Sequence, residues 1–139
     1  SCSVPGDAKL VRQRLHVGDL TFECMIERTP LIVRQVAVAS VALARQPIRA
    51  WLVLHQKSRR KYYRPAGELK EIEWTVQGRK MKGLRRELSR RLRFALARSK
   101  PKQLFSVALH DEVRDKLLIV ESPDEQAIKD VLETIGWAQ

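Results

Sequence analysis

The chain has 139 residues, with 27 lysines and arginines against 16 aspartates and glutamates and 44% hydrophobic residues, for a formal net charge of +11. That length fits one compact domain, 1–139 with residues 1–8 as a flexible lead-in, and the hydrophobic content is too high for a disordered polyelectrolyte. No apolar run reaches the roughly 18 residues of a membrane-spanning helix, and two cysteines, Cys2 and Cys24, are too few for a disulfide framework or a cysteine metal cluster.

In chain order, residues 9–17 and 20–27 read as two strands of a hairpin turning at His16-Val17-Gly18-Asp19. Phe22, Cys24 and Ile26 alternate, which makes Cys24 a small buried hydrophobe; Cys2 also fits the cut remnant of a lipoprotein signal. Thr29-Pro30 offers a capping residue followed by proline at a first helical position, and Pro47 is a stop, so a helix is expected over 30–45 with a stripe of Ile32, Val36, Ala39 and Leu43. Val36-Ala-Val-Ala39 is locally ambiguous between helix and strand.

Residues 48–55 and 69–76 read as strands joined by a polar connection. Gly78 then opens an expected amphipathic helix over 78–99, stopped by Pro101. Residues 104–112 and 116–121 form a second hairpin around Val113-Arg-Asp115, and Ser122-Pro-Asp-Glu125 opens a closing helix that runs to Ile135 and Gly136. The expected fold is α+β: an antiparallel sheet with a ferredoxin-like β-α-β-β-α-β core, an N-terminal strand and a C-terminal strand-helix extension, its helices on one face. The alternative is an irregular α+β sheet in which the first helix is partly strand. The element order resembles that of RNA-recognition and ribosomal ferredoxin-like modules, but the aromatic Lys/Arg-Gly-Phe/Tyr-Gly/Ala-Phe signature is absent.

The positive charge is segregated. Residues 57–102 hold seventeen basic residues against four acids, Glu68, Glu71, Glu73 and Glu87, while the rest of the chain has ten basic and twelve acidic. A general solubility requirement would scatter such charge; a dedicated site concentrates it. On the helix expected after Gly78, Met81, Leu84, Leu88, Leu92 and Ala95 form the core stripe, and Arg79, Lys82, Arg86, Arg90 and Arg93 gather opposite them. The connection Lys57-Ser-Arg59-Arg60-Lys61-Tyr62-Tyr63-Arg64 interleaves cations for phosphate contact with tyrosines that stack on unpaired bases.

Catalytic signatures are weak. There is no Walker A loop, dinucleotide glycine fingerprint, His-Glu-x-x-His motif or serine elbow, and His110-Asp111-Glu112 cannot converge on a metal because neighbouring strand residues point to opposite faces. A metal-dependent nuclease would need Glu68 and Lys70 on one strand face with Asp19 or Glu23 completing a magnesium site. The expectation is therefore a non-catalytic nucleic-acid-binding domain without cofactor or metal, favouring RNA or single-stranded DNA, at Lys57, Arg59, Arg60, Lys61, Tyr62, Tyr63, Arg64, Arg79, Lys82, Arg86, Arg90 and Arg93. The alternative partners are an acidic protein or an anionic membrane surface. The expected compartment is the cytoplasm, or the nucleus or an organelle in a eukaryote, and the sequence leaves the oligomeric state open.

Overall fold

A computed structural model describes residues 8–16, 18–26, 28–96 and 100–134. The elements are β1 (Ala8–His16), β2 (Asp19–Ile26), β3 (Thr29–Ala37), α1 (Ala39–Arg45), α2 (Ile48–Lys57), β4 (Tyr63–Pro65), β5 (Lys70–Val76), β6 (Arg79–Arg90), β7 (Gln103–Asp111), β8 (Lys116–Ser122) and α3 (Glu125–Thr134), with a single 3-10 turn at Leu92–Phe94. Strands β1, β2 and β3 form an antiparallel meander. The chain then crosses the sheet through α1 and α2 and returns from the far edge until β8 pairs with β3, giving the order β1-β2-β3-β8-β7-β6-β4. Both β4 and β5 run antiparallel to β6, opposite its C-terminal and N-terminal halves, and Ala66 N–H donates to Glu87 O between them. They act as one interrupted edge strand.

The fold is a mixed α+β architecture with an antiparallel sheet, and the ferredoxin-like order is not formed. Three of the expected elements change. Residues 29–37 form a strand, as in the partly-strand alternative: β-branched Ile32, Val33 and Val36 prefer the extended chain, where Leu31 and Val33 are buried on one face. The helix begins only at α1, after Val38 in the left-handed conformation (φ 54°), and takes its capping from another part of the chain: Asp115 accepts from Ser40 N–H through Oδ1 at 2.6 Å and from Ala39 N–H through its carbonyl at 2.9 Å.

Residues 48–57 are helical, because Ile48, Leu52 and Gln56 recur every fourth residue and Pro47 O accepts from Ala50 N–H and Trp51 N–H. Residues 79–90 are a strand. Gln77 (φ 51°) and Gly78 (φ 77°) are both left-handed, so Gly78 closes a two-residue β5–β6 hairpin instead of opening a helix.

The β1–β2 and β7–β8 hairpins and α3 lie where the sequence places them. The lead-in over 1–7 with Cys2, and the final turn at 135–136, lie outside the described residues; Ala8 already belongs to β1.

Helices cover both faces of the sheet, not one. Ile128, Val131 and Leu132 of α3 pack on Val33, Val107, Leu109, Leu118 and Val120. On the other face α1 and α2 bring Ala39, Ile48, Trp51 and Leu52 against Val36, Ala108, Leu117 and Ile119. Strand β8 is thus buried on both sides, each such aliphatic side chain contributing about 1.5–3 kcal/mol. Between β6 and β7 the backbones approach so closely that a Cβ on Gly83 would lie 1.9 Å from Ala108 O.

Candidate nucleic-acid interface

The C-terminal end of α2 is fastened to the sheet by a buried polar cluster. Glu121 of β8 is 3% exposed and meets His55 Nε2 at 3.2 Å, Arg59 Nε at 2.9 Å and the Ser106 hydroxyl, which donates at 3.3 Å. The Arg59 contact is an ion pair without hydrogen-bond alignment. Burial alone would raise the Glu121 pKa; the His55 hydrogen bond and the charges of His55 and Arg59, helped by Ser106, outweigh it and hold the carboxyl below its ordinary value. At the next residue of α2, Arg86 Nε donates to Gln56 Oε1 at 2.6 Å, and Gln56 Nε2 donates back to Arg86 O at 3.2 Å. Burial, then the nearby Arg49 charge, lowers the Arg86 pKa.

From this anchor residues 58–62 leave α2 through tight turns into β4. The segment is tied to the end of β6 and the 3-10 turn by guanidinium–carbonyl hydrogen bonds: Arg91 Nε to Arg60 O at 2.7 Å and Arg93 to Lys61 O at 3.2 Å, while Arg91 N–H donates to Tyr62 O. Arg90 donates to Lys100 O and Ala95 O, and the Tyr63 hydroxyl donates to Pro101 O at 2.8 Å. The Tyr62 ring packs edge-to-face on Phe94 at 4.7 Å, with Lys100 Nζ 4.4 Å and Lys61 Nζ 5.2 Å from its centre. Residues 57–64, 90–96 and 100–102 thereby meet in one tip, and together they contain ten lysines and arginines and no acid. Carbonyl dipoles orient these guanidinium groups without cancelling their charge.

The tip borders a groove. A recess of about 390 Å³ separates Met25, Pro30 and Leu31 on the β2–β3 wing from Lys61, Tyr62 and Lys100. It adjoins a second recess of about 450 Å³ on the α2 side of the wing; Glu23, Ile32, Ser58 and Arg59 line both. There Arg34 is fixed by two hydrogen bonds to Asp19, at 3.0 and 2.6 Å, and stacks over Trp51 at 5.3 Å, with Arg14, His16 and His55 around it. Charge is mixed at the wing end and wholly positive at the tip.

The structure divides the basic residues expected to share one helix face. Alternation along β6 puts Arg79 on the α3 side, where it pairs with Asp111 at 2.8 Å, and Lys82, Arg86 and Arg90 on the α2 side. Lys82 lies in a separate recess with Glu71, Glu73 and His110, away from the tip. Arg90 and Arg93 join Lys57, Arg59, Arg60, Lys61, Tyr62 and Arg64 at the tip. Tyr63 is buried, which leaves its ring no face for a base, and the Tyr62 ring is already engaged. Arg91, off the expected basic helix face, and Lys100 and Lys102, beyond the expected helix, also belong to the tip, and Arg14, Arg34 and His16 reach the groove only through the tertiary fold.

The magnesium arrangement does not assemble. Five sheet spacings separate β2, with Asp19 and Glu23, from β5, with Lys70, a distance of roughly 24 Å. Asp111 is engaged by Arg79 and by the turn N–H groups of Val113 and Arg114. Among the described residues no three His, Cys, Asp or Glu side chains are grouped to hold a metal ion, and no helix is long and apolar enough to cross a membrane. No family model matches this chain, and no curated protein matches it in sequence.

Proposed function

We propose that the chain binds nucleic acid, RNA or single-stranded DNA ahead of regular duplex, with phosphates on the tip and the strand continuing along the groove. The observation that carries this reading is the meeting of residues 57–64, 90–96 and 100–102, acid-free and rich in arginine, at one end of the domain. Like charges held this close repel one another, and a polyanion relieves that repulsion while releasing its own counterions. Arginine suits the task because its fork donates to a carbonyl and a phosphate at once. Phosphate contact replaces tyrosine stacking as the main source of affinity.

The test is titration of fluorescent single-stranded RNA and DNA at two salt concentrations. With about five phosphates neutralised on a single strand, affinity falls about a hundredfold between 50 and 200 mM salt. Arg60→Gln, Lys61→Gln and Lys102→Gln change exposed side chains and together lower affinity and flatten the salt slope. Unchanged binding by that triple variant would overturn the assignment. Adsorption to anionic vesicles or to an acidic protein, with no binding of either nucleic acid, would replace the reading.

A further inference from the structure

Two large apolar side chains stand in the basic tip with almost nothing against them: Leu92 is 84% exposed and Leu96 94% exposed. Phe94, between them, is turned against Tyr62. The turn that carries them is braced at Arg91, Arg93 and Ala95, the first two donating to the carbonyls of Arg60 and Lys61 and the last accepting from Arg90. The leucines stand on a braced support, in a segment that also carries Arg90, Arg91 and Arg93.

We infer that Leu92 and Leu96 form a wedge that inserts at an unstacked step of a structured nucleic acid, such as a bulge or a helix–loop junction, while the surrounding arginines hold the flanking phosphates. The inference rests on the nucleic-acid reading and names the kind of site it selects. Apolar wedges flanked by arginine enter base stacks by offsetting the unstacking cost with buried surface, and that cost is least where a base is already unpaired. A bilayer also offers phosphates above an apolar layer. The shape of the groove decides between them: from Lys61 and Lys100 a concave recess runs on past Arg59 to Arg34 and Arg14, where the charge is mixed with that of Glu23 and Asp19, and a flexible strand can follow that concavity where a flat membrane cannot.

The test uses the full chain and two RNA hairpins, one fully paired and one with a single-nucleotide bulge flanked by 2-aminopurine, with phosphatidylserine vesicles as a third arm. The wild-type chain binds the bulged hairpin about tenfold more tightly, the order expected for burying leucine surface, and 2-aminopurine fluorescence rises as its stacking is broken. Leu92→Ser with Leu96→Ser abolishes the preference and the fluorescence change while keeping salt-dependent binding and an unchanged melting temperature, since both side chains are solvated in the free protein. Equal binding of the two hairpins, or a preference that survives the double variant, overturns the wedge and leaves nucleic-acid binding standing. Leucine-dependent insertion into vesicles without binding to either hairpin overturns both.

Discussion

Removing the Glu121 carboxylate tests the link between the buried cluster and the tip. Glu121→Ala leaves His55, whose side chain is 9% exposed, without its hydrogen-bond partner and Arg59, 31% exposed, without its counter-charge beneath the end of α2. Breaking a buried ion pair from one side costs about 3–5 kcal/mol. Water can rehydrate part of Arg59, which discounts its share, so the expected loss is about 3 kcal/mol for Glu121→Ala and about 2 kcal/mol for Glu121→Gln, which keeps hydrogen-bonding capacity. Urea unfolding followed by tryptophan fluorescence reads the loss directly, and the melting temperature falls about 10 °C in the alanine variant. The pH dependence has a fixed sign. The folded-state pKa is depressed, so the unfolded chain binds more protons in the acid range; the stabilisation is complete above the ordinary value of 4.5 and is lost as pH falls through the folded-state pKa. The gap between wild type and Glu121→Gln therefore narrows from pH 7 to pH 3. A loss under about 1 kcal/mol at pH 7, or a gap independent of pH, would refute the reasoning.

Three further changes probe the scaffold. Gly83→Ala places a Cβ against the Ala108 carbonyl, backbone that a rotamer change cannot move, and costs more than about 3 kcal/mol in chemical denaturation; near-normal stability would show that β6 and β7 are farther apart. Val38→Asn relieves a β-branched residue with φ 54° at an exposed position and raises stability by about 1 kcal/mol, whereas no gain would mean that Val38 is not strained. Leu52→Ala, at a fully buried site facing Ala108 and Ile119, costs about 2–5 kcal/mol by urea unfolding, and a smaller loss would place α2 away from the sheet.

The elements legible in the sequence are those whose pattern admits one reading. Residues 104–112 and 116–121 are two short apolar runs on either side of a polar turn, and Ser122-Pro-Asp-Glu125 marks a helix start, so β7, β8 and α3 come out close to their observed bounds. Strand β6 did not, because Leu84, Leu88 and Leu92 are spaced by four, and that interval returns to the same side of both a helix and a strand. Met81, an odd number of residues from Leu84, is the discriminating position: a strand sends it to the α3 side, where it is buried. Strand β3 was hidden by Thr29-Pro30, whose helix-start chemistry is overridden by pairing with β2 and β8 on either side. The concentration of charge was visible in the sequence, but its division among faces was not, since that depended on the period assigned to β6.

The change of period also changes what the arginines are for. On a helix, Arg86, Arg90 and Arg93 would have been solvated side chains free to meet a ligand. Here Arg86 completes a hydrogen-bonded pair with Gln56, while Arg90 and Arg93 hold the carbonyls of two other segments. Replacing them would loosen the tip as well as remove charge, so weakened binding by such variants would not separate contact from support. Lysine could supply the same net charge, but its ammonium lacks the planar fork that braces one segment while presenting further N–H donors outward. The exposed Arg60, Lys61 and Lys102 are basic residues whose side chains brace no carbonyl, and they report on contact more directly. Arginines that brace the tip also concentrate its charge, so ordering the loops and building an electrostatic field for a polyanion are achieved by the same side chains.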